Sequence, residues 1–248
     1  MKRVAVITGV SGGIGRATAR LFAAQGWRVT GIDCRPGAAP EVHRFLQADL
    51  ADTTASEQIF AEITAAAGRI DALINNAAVQ ICKPLLETTP AEWDAVMATN
   101  LRSVYLAIRH AHPLMRARGG AIVNVSSVHA VATSANIAAY AASKGALLAL
   151  TRALAIEFSP DKIRVNAVLP GAVDTEMLRA GLSREQFHGD SPEESVRRLG
   201  ARHVLGRVGR PEEIARAILF LADEQHSSFM TGQALIVDGG ATARLSTE

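Results

Sequence analysis

The stretch Thr8-Gly9-Val10-Ser11-Gly12-Gly13-Ile14-Gly15 separates an apolar run at positions 4–7 from a segment in which Ile14, Ala17, Leu21 and Ala24 recur at helical spacing. A chain that turns from strand to helix through so many small residues can bring its backbone close to a bound phosphate. The helix that begins there offers unpaired N–H groups and the positive end of its dipole to an anion. Glycines alone would say little, but glycines at a strand-to-helix junction predict a phosphate cradle; a tight turn without ligand is the plain alternative.

Outward from that turn the same rhythm repeats. Short β-branched runs at 3–8, 28–32, 44–47, 72–75, 121–125, 164–168 and 234–237 predict seven strands. Several are apolar at nearly every position, as strands covered on both faces are. Between them lie helical stripes: Ile59, Ile63 and Ala66; Trp93, Val96, Met97, Leu101, Val104 and Ile108; Leu147, Leu150 and Leu154; Ile214, Ile218 and Leu221. This alternation predicts an α/β fold, a single-domain Rossmann-like doubly wound parallel sheet of about seven strands over 1–248, with helices on both faces. The rhythm breaks at 172–209, which is long, polar and charged. An insertion with one or two short helices is expected there, forming a substrate lid at about 175–209.

Composition narrows the class. Of 248 residues, 48% are hydrophobic, too many for a disordered chain; only 4% are aromatic, so Ala, Val, Ile and Leu must build the core. The formal charge of +2 is spread along the chain without a basic tract, which argues against nucleic acid as a partner. No stretch approaches ~20 uninterrupted apolar residues, so no membrane span is expected. The apolar start runs into glycines rather than a cleavage site, so no signal peptide is expected either. Cys34 and Cys82 lack metal-ligand spacing, and a reducing, cytoplasmic setting without a metal is the expectation.

Asp33 closes the second strand about twenty residues after the glycines, where a carboxylate accepts hydrogen bonds from both hydroxyls of an adenosine ribose and repels a 2′-phosphate. Arg35 stands nearby and could receive such a phosphate. Asp33 lies closer to the required position, so NAD is preferred over NADP.

Tyr140 and Lys144 are spaced i, i+4 at the start of the helix bearing Leu147, one turn apart on one face. The chain holds only four lysines, Lys2, Lys83, Lys144 and Lys162, and two tyrosines, Tyr105 and Tyr140, so this pairing is an improbable accident. A phenol with a pKa of ~10 is a poor base, but a close ammonium together with an oxidised nicotinamide would lower it by ~3 units, or ~4 kcal/mol. The phenol can then exchange the proton of an alcohol or ketone substrate while hydride moves to or from a cofactor. Ser127 follows the strand at 121–125, at the sheet edge where ligands bind. Its hydroxyl, or that of Ser126, would hold the substrate oxygen; side-chain direction alone does not choose. Asn100 sits inside a helix, where asparagine is a poor helix former, and its amide could hold a water or bend the helix.

With these residues in view, the chain resembles the short-chain dehydrogenase/reductase (SDR) family over essentially its full length. The family's glycine pattern matches Thr8-Gly9, Gly13 and Gly15. Its acidic residue after the third strand matches Asp49-Leu50, and its Asn-Asn-Ala-Gly signature matches Asn75-Asn76-Ala77, with Ala78 where glycine is usual. The resemblance implies a catalytic tetrad of Asn100, Ser127, Tyr140 and Lys144, the thirteen-residue serine-to-tyrosine spacing selecting Ser127. It implies cofactor contacts on Gly9, Ser11, Gly12, Gly13, Ile14, Gly15, Asp33, Asp49, Leu50, Asn76, Ala77, Tyr140 and Lys144. Pro170, Gly171, Val173 and Thr175 match the segment that holds the nicotinamide carboxamide, and Thr231-Gly232 and Val237-Asp238-Gly239-Gly240 match the C-terminal strand region. Lys144 would bind the nicotinamide ribose and Asn100 would anchor a water in a proton relay. A homotetramer is implied too, built by pairing the helices of Asn100 and Tyr140; the face Ala142, Ala146, Ala149 and Ala153 would allow close approach or could be core.

Two rivals are set aside. A 3-oxoacyl-type carbonyl reductase using NADP is disfavoured by Asp33 and by Gly12, where such relatives often carry a base. A non-catalytic dinucleotide-binding regulator has no need of an intact Ser-Tyr-Lys set. His110 and His112 face different sides of their helix and do not suit a metal. His129 lines the pocket or packs. The cluster Arg197, Arg198, Arg202, Arg207 and Arg210 reads as a solvated face rather than a receptor for an anionic substrate. Nothing pairs Cys82 with a base, so nucleophilic catalysis is not indicated.

Overall fold

The computed structural model describes residues 2–37, 41–182 and 191–243. Seven strands, β1 (Val4–Thr8), β2 (Arg28–Asp33), β3 (Arg44–Gln47), β4 (Ala72–Asn75), β5 (Gly120–Val125), β6 (Ile163–Pro170) and β7 (Ala234–Val237), form one sheet in the order β3-β2-β1-β4-β5-β6-β7. Every pairing is parallel. The predicted strands are all present, and the differences lie at their ends. β6 continues past 168 because Leu169 and Pro170 pair with Ile236 and Val237. β2 takes in Asp33, which pairs with Gln47.

Helices cover both faces because strand side chains alternate. Val6, Ile32, Leu73, Ile122 and Val165 pack against α2 (Thr53–Ala67), α4 (Ser103–Met115) and α5 (Ala138–Glu157). Ala5, Ile7, Val29, Ile74, Val123 and Val168 pack against α1 (Gly13–Ala24) and α8 (Pro211–Ala222). Nearly all of these strand residues are fully buried, and each large aliphatic among them contributes about 1.5–3 kcal/mol through burial. A polar ladder crosses the first of these interfaces: Asn75 Nδ2 donates to Asn124 Oδ1 (2.8 Å) and Asn124 Nδ2 to Thr151 Oγ1 (3.0 Å). It fixes β4, β5 and α5 relative to one another, and α5 carries Tyr140 and Lys144.

Strand order creates the site. From β1 the chain builds β2 and β3 on one side, then crosses to β4 on the other. The carboxyl ends of β1 and β4 therefore frame a crevice at a topological switch point, where α/β sheets bind ligands. The stripe predicted as one helix from Trp93 to Ile108 is instead α3 (Pro90–Met97), a π-helical turn over Ala98–Arg102, and α4. Such a turn widens the backbone at one point and often marks a functional position; here it contains Asn100.

In the predicted lid, α6 (Glu176–Leu182) and α7 (Pro192–Gly200) are the expected short helices, and 183–190 lie outside the described residues. α9 (Glu224–Ser227) precedes β7. Among the described residues no helix is long and apolar enough to cross a membrane, and no cluster of His, Cys, Asp and Glu could hold a metal ion.

Candidate active site

The glycine turn is tied to the neighbouring strand end before any ligand is considered. Thr8 Oγ1 accepts from the Asn76 and Ala77 N–H groups (2.9 and 3.0 Å), and Asn76 Nδ2 donates to the carbonyls of Thr8 and Gly9 (both 3.0 Å). Ala78 is not among the non-glycine residues with positive φ, so its methyl imposes no left-handed strain. Glycine serves different ends along the turn. Gly9 has φ +67°, and a Cβ there would lie 2.8 Å from Ala77 Cα. A Cβ on Gly15 would overlap the Gly9 carbonyl oxygen, so that glycine lets α1 pack.

Gly12 differs. Its φ of −77° suits any residue, and no protein atom comes nearer than 3.5 Å to where its Cβ would sit. A methyl there would make only ordinary contacts, with the Gly9 carbonyl oxygen and Arg35 Nη2, at the start of α1. That helix has no side-chain cap and no acidic residue in its first turn, so its first N–H groups face a space suited to an anion. Ser11, Gly13, Arg16, Asp174, Thr175, Glu176 and Arg179 line a cavity of about 270 Å³ beside it. These features fit a dinucleotide pyrophosphate.

Asp33 is buried and helps to shape the turn. Its Oδ2 accepts from the Ser11 N–H and its Oδ1 from the Arg35 N–H, both at 2.9 Å. Each oxygen keeps a lone pair for a ribose hydroxyl. Asp49 Oδ1 accepts from the Ala51 N–H (2.9 Å), and Leu50 beside it is buried. On the far side of the crevice Gly171 N donates to Val237 O (3.0 Å), and Val173 forms a bridge with Gly209. Thr175 Cγ2 would be 2.8 Å from a Cβ on Gly13, so the segment that leads into α6 begins against the glycine turn.

Tyr140 and Lys144 occupy the first two turns of α5, both nearly buried. Lys144 Nζ donates to Val125 O (2.8 Å) and lies 5.5 Å from the Tyr140 ring centroid. The two candidate serines separate cleanly. Ser126 Oγ donates to Lys144 O (2.8 Å), which commits it to the α5 backbone, whereas the Ser127 hydroxyl lies beside the Tyr140 phenol and favours its ionised form. His129 packs edge-on to Tyr140, with centroids 5.9 Å apart. Its side chain therefore belongs to the site.

The expected drop in the tyrosine pKa does not occur in the protein alone. Burial pushes the phenol up to about 12, the neighbouring Ser127 hydroxyl works the other way, and the nearby Cys82 side chain adds to the rise. Burial also pulls the Lys144 ammonium down to about 8. Desolvation penalises both charged forms, and with Nζ turned to the Val125 carbonyl it outweighs their attraction.

Asn100 is fully buried, and its amide clasps the main chain of Val79. Oδ1 accepts from Val79 N–H (2.8 Å), while Nδ2 donates to Val79 O (2.9 Å) and to Ser143 Oγ (3.0 Å). Both amide hydrogens are thereby engaged, so a water at this residue must be met by the second Oδ1 lone pair or by the backbone carbonyl. Ser143, not anticipated from the sequence, passes the contact on: its Oγ donates to Tyr140 O (2.7 Å).

The family model described as "Enoyl-(Acyl carrier protein) reductase" matches residues 9–242. Cis-4-hydroxycyclohexanecarboxylate dehydrogenase of Sinomonas cyclohexanicum is 40% identical, covering 98% of this chain and 97% of its own. Cyclopentanol dehydrogenase of Comamonas testosteroni is 36% identical, with 97% of each chain covered. The chain belongs to the short-chain dehydrogenase/reductase family. The ligand-free structure of Thermoplasma acidophilum aldohexose dehydrogenase superposes on this SDR chain with a TM-score of 0.93 at 32% identity, over 99% of this chain and 96% of that one. The SDR chain is therefore an oxidoreductase, and its fold implies a nicotinamide dinucleotide cofactor.

Several discounted signals of the SDR chain find partners elsewhere. His112 Nε2 lies 2.8 Å from Asp161 Oδ2, and His110 stacks on Phe60. Arg207 and Arg210 both pair with Glu213. The alanine face of α5 is not core: Ala142, Ala149 and Ala153 are exposed and Ala146 is half-buried.

Proposed function

We infer that this SDR enzyme catalyses the reversible NAD-dependent oxidation of a secondary alcohol to a ketone. The observation that carries this inference is the buried phenol of Tyr140, beside Ser127 and with Lys144 one turn behind, at the sheet edge that also holds the glycine turn. Ser127 Oγ and Tyr140 Oη together receive the substrate oxygen. Tyr140 takes the hydroxyl proton, or returns it in the reverse direction, as a general base or acid. Lys144 holds positive charge at Nζ against the phenolate and reaches the nicotinamide ribose. Asn100 holds a water that passes the proton outward.

The bound nicotinamide supplies the hydride acceptor, and the protein supplies position and polarity. Gly9, Ser11, Gly12, Gly13, Ile14 and Gly15 cradle its pyrophosphate, Asp33 its adenosine ribose, and Asp49 and Leu50 its adenine. Asn76 and Ala77 flank it at the end of β4, while Pro170, Gly171, Val173 and Thr175 receive its carboxamide. Two relatives are named for compact cyclic alcohols, which supports a substrate of that class here. Assembly as a tetramer through α4 and α5 is part of the same inference, supported by exposed Tyr105 and Ile156 beside the exposed alanines.

The test is a panel of secondary alcohols, including cyclopentanol, cis-4-hydroxycyclohexanecarboxylate and an aldohexose, assayed with NAD⁺ and NADP⁺ in parallel. NADH formation with at least one alcohol, faster than NADPH formation, is the expected result. Turnover of none of them, or a preference for NADP⁺, would contradict it.

A further inference from the structure

A guanidinium beside the ribose position should welcome a 2′-phosphate, because its planar fork matches phosphate geometry. Arg35 is such a group, and the structure shows where its charge is directed. Arg35 Nη1 donates to Glu176 Oε2 at 2.9 Å, and its Nε lies 3.5 Å from Asp33 Oδ1. Its Nη2 passes 3.7 Å from the point where a Cβ on Gly12 would sit. Glu176 opens α6, 141 residues further along the chain, and lines the cavity beside the glycine turn. The ion pair therefore runs from the end of β2 to the lid across the mouth of the pyrophosphate cradle.

We propose that Glu176 is a second determinant of cofactor choice, holding Arg35 so that a 2′-phosphate meets a cation already claimed by two carboxylates. The proposal rests on the NAD preference inferred above and explains how that preference survives a nearby arginine. Asp33 repels the phosphate directly. Glu176 acts through Arg35: a 2′-phosphate must displace its carboxylate to reach the guanidinium, and the displaced charge stays on the lid close by. Arg35 and Glu176 side chains are 50% and 76% exposed, so solvent screens the pair. An exposed ion pair couples by up to about five-fold in an equilibrium constant, which sets the scale of the effect.

The experiment is a double-variant cycle on the full chain, using Glu176→Gln, Arg35→Gln and both together. Equilibrium binding of NAD⁺ and NADP⁺ is measured by calorimetry. Binding of 5′-AMP and adenosine 2′,5′-bisphosphate is measured alongside, so the readout does not depend on turnover. Glu176→Gln should raise the NADP⁺-to-NAD⁺ affinity ratio about three- to five-fold at low salt, and less at high salt. In the Arg35→Gln background the same substitution should change that ratio by less than about two-fold. An unchanged ratio for Glu176→Gln overturns the proposal. So does an equal gain with and without Arg35, because Glu176 would then act only as a nearby negative charge. The wild-type ratio separately tests the NAD preference: tighter wild-type binding of NADP⁺ refutes that preference, whereas the change in ratio across the cycle judges the role of Glu176.

Discussion

Replacing Asn100 by alanine removes three hydrogen bonds at once from a fully buried side chain: one accepted from Val79 N–H, one donated to Val79 O and one donated to Ser143 Oγ. Val79 is 39% exposed, so water can re-pair its main chain, and each of those bonds costs about 0.5–1.5 kcal/mol. Ser143 is fully buried. Its hydroxyl keeps the bond to Tyr140 O but loses its donor, which costs about 1 kcal/mol or more. Alanine's better helix propensity returns about half a kcal/mol. The net loss is roughly 2–4 kcal/mol, and at about 2–4 °C per kcal/mol for a chain of this size Tm should fall by ~5–15 °C. Because the clasp joins the segment after β4 to the turn that carries Tyr140, kcat should fall about ten-fold or more. Thermal melts followed by circular dichroism, with kcat measured well below the new Tm, check both. A variant that melts within ~2 °C of wild type, equivalent to less than about 1 kcal/mol, would refute the assignment of these hydrogen bonds to stability.

Gly12→Ala and Gly15→Ala should part company. The first, whose Cβ would make only ordinary contacts, should leave stability within about 1 kcal/mol of wild type and NAD⁺ affinity within about three-fold; the second, whose Cβ would overlap the Gly9 carbonyl oxygen, should fail to fold. Urea denaturation and calorimetric titration with NAD⁺ distinguish them, and equal behaviour would contradict the division of roles. Lys144→Met should abolish turnover yet stabilise the protein at pH 7. Burial lowers the Lys144 pKa from 10.5 to about 8, so the unfolded chain binds more protons between those values. Wild-type stability from this group therefore rises with pH across that window, and the burial cost is present in full below it. Removing the charge should contribute about 1–3 kcal/mol at pH 7, less about 1 kcal/mol for the Val125 carbonyl left without its donor. The gain should vanish by pH 10.5; an equal gain at both pH values would refute it.

The strands were legible because burial on both faces leaves an apolar signature at nearly every position, and the glycine turn because its small residues sit at one junction. Tyr140 and Lys144 were legible because their spacing is local. Asn100 was not understood from sequence, since its main partner is the backbone of Val79, and a main chain has no residue identity to recognise. Ser143 left a faint signal as a small polar residue one turn beyond Tyr140 and beside Lys144. The Arg35–Glu176 pair left none, because the fold alone brings its members together. The expected Tyr140 shift assumed an oxidised nicotinamide beside the phenol; in the protein alone burial sets the direction, and spacing reveals a neighbouring charge but not the depth at which both groups are buried.

The central claim is that the Tyr140 hydroxyl moves the substrate proton. Tyr140→Phe keeps the ring against His129 and removes only the oxygen that meets Ser127. Turnover of the best alcohol from the panel should fall by about 10²–10⁴-fold, with NAD⁺ affinity within about three-fold of wild type, a difference under ~1 kcal/mol. Turnover retained to within about ten-fold, below the range expected for loss of a general acid–base group, would contradict the account.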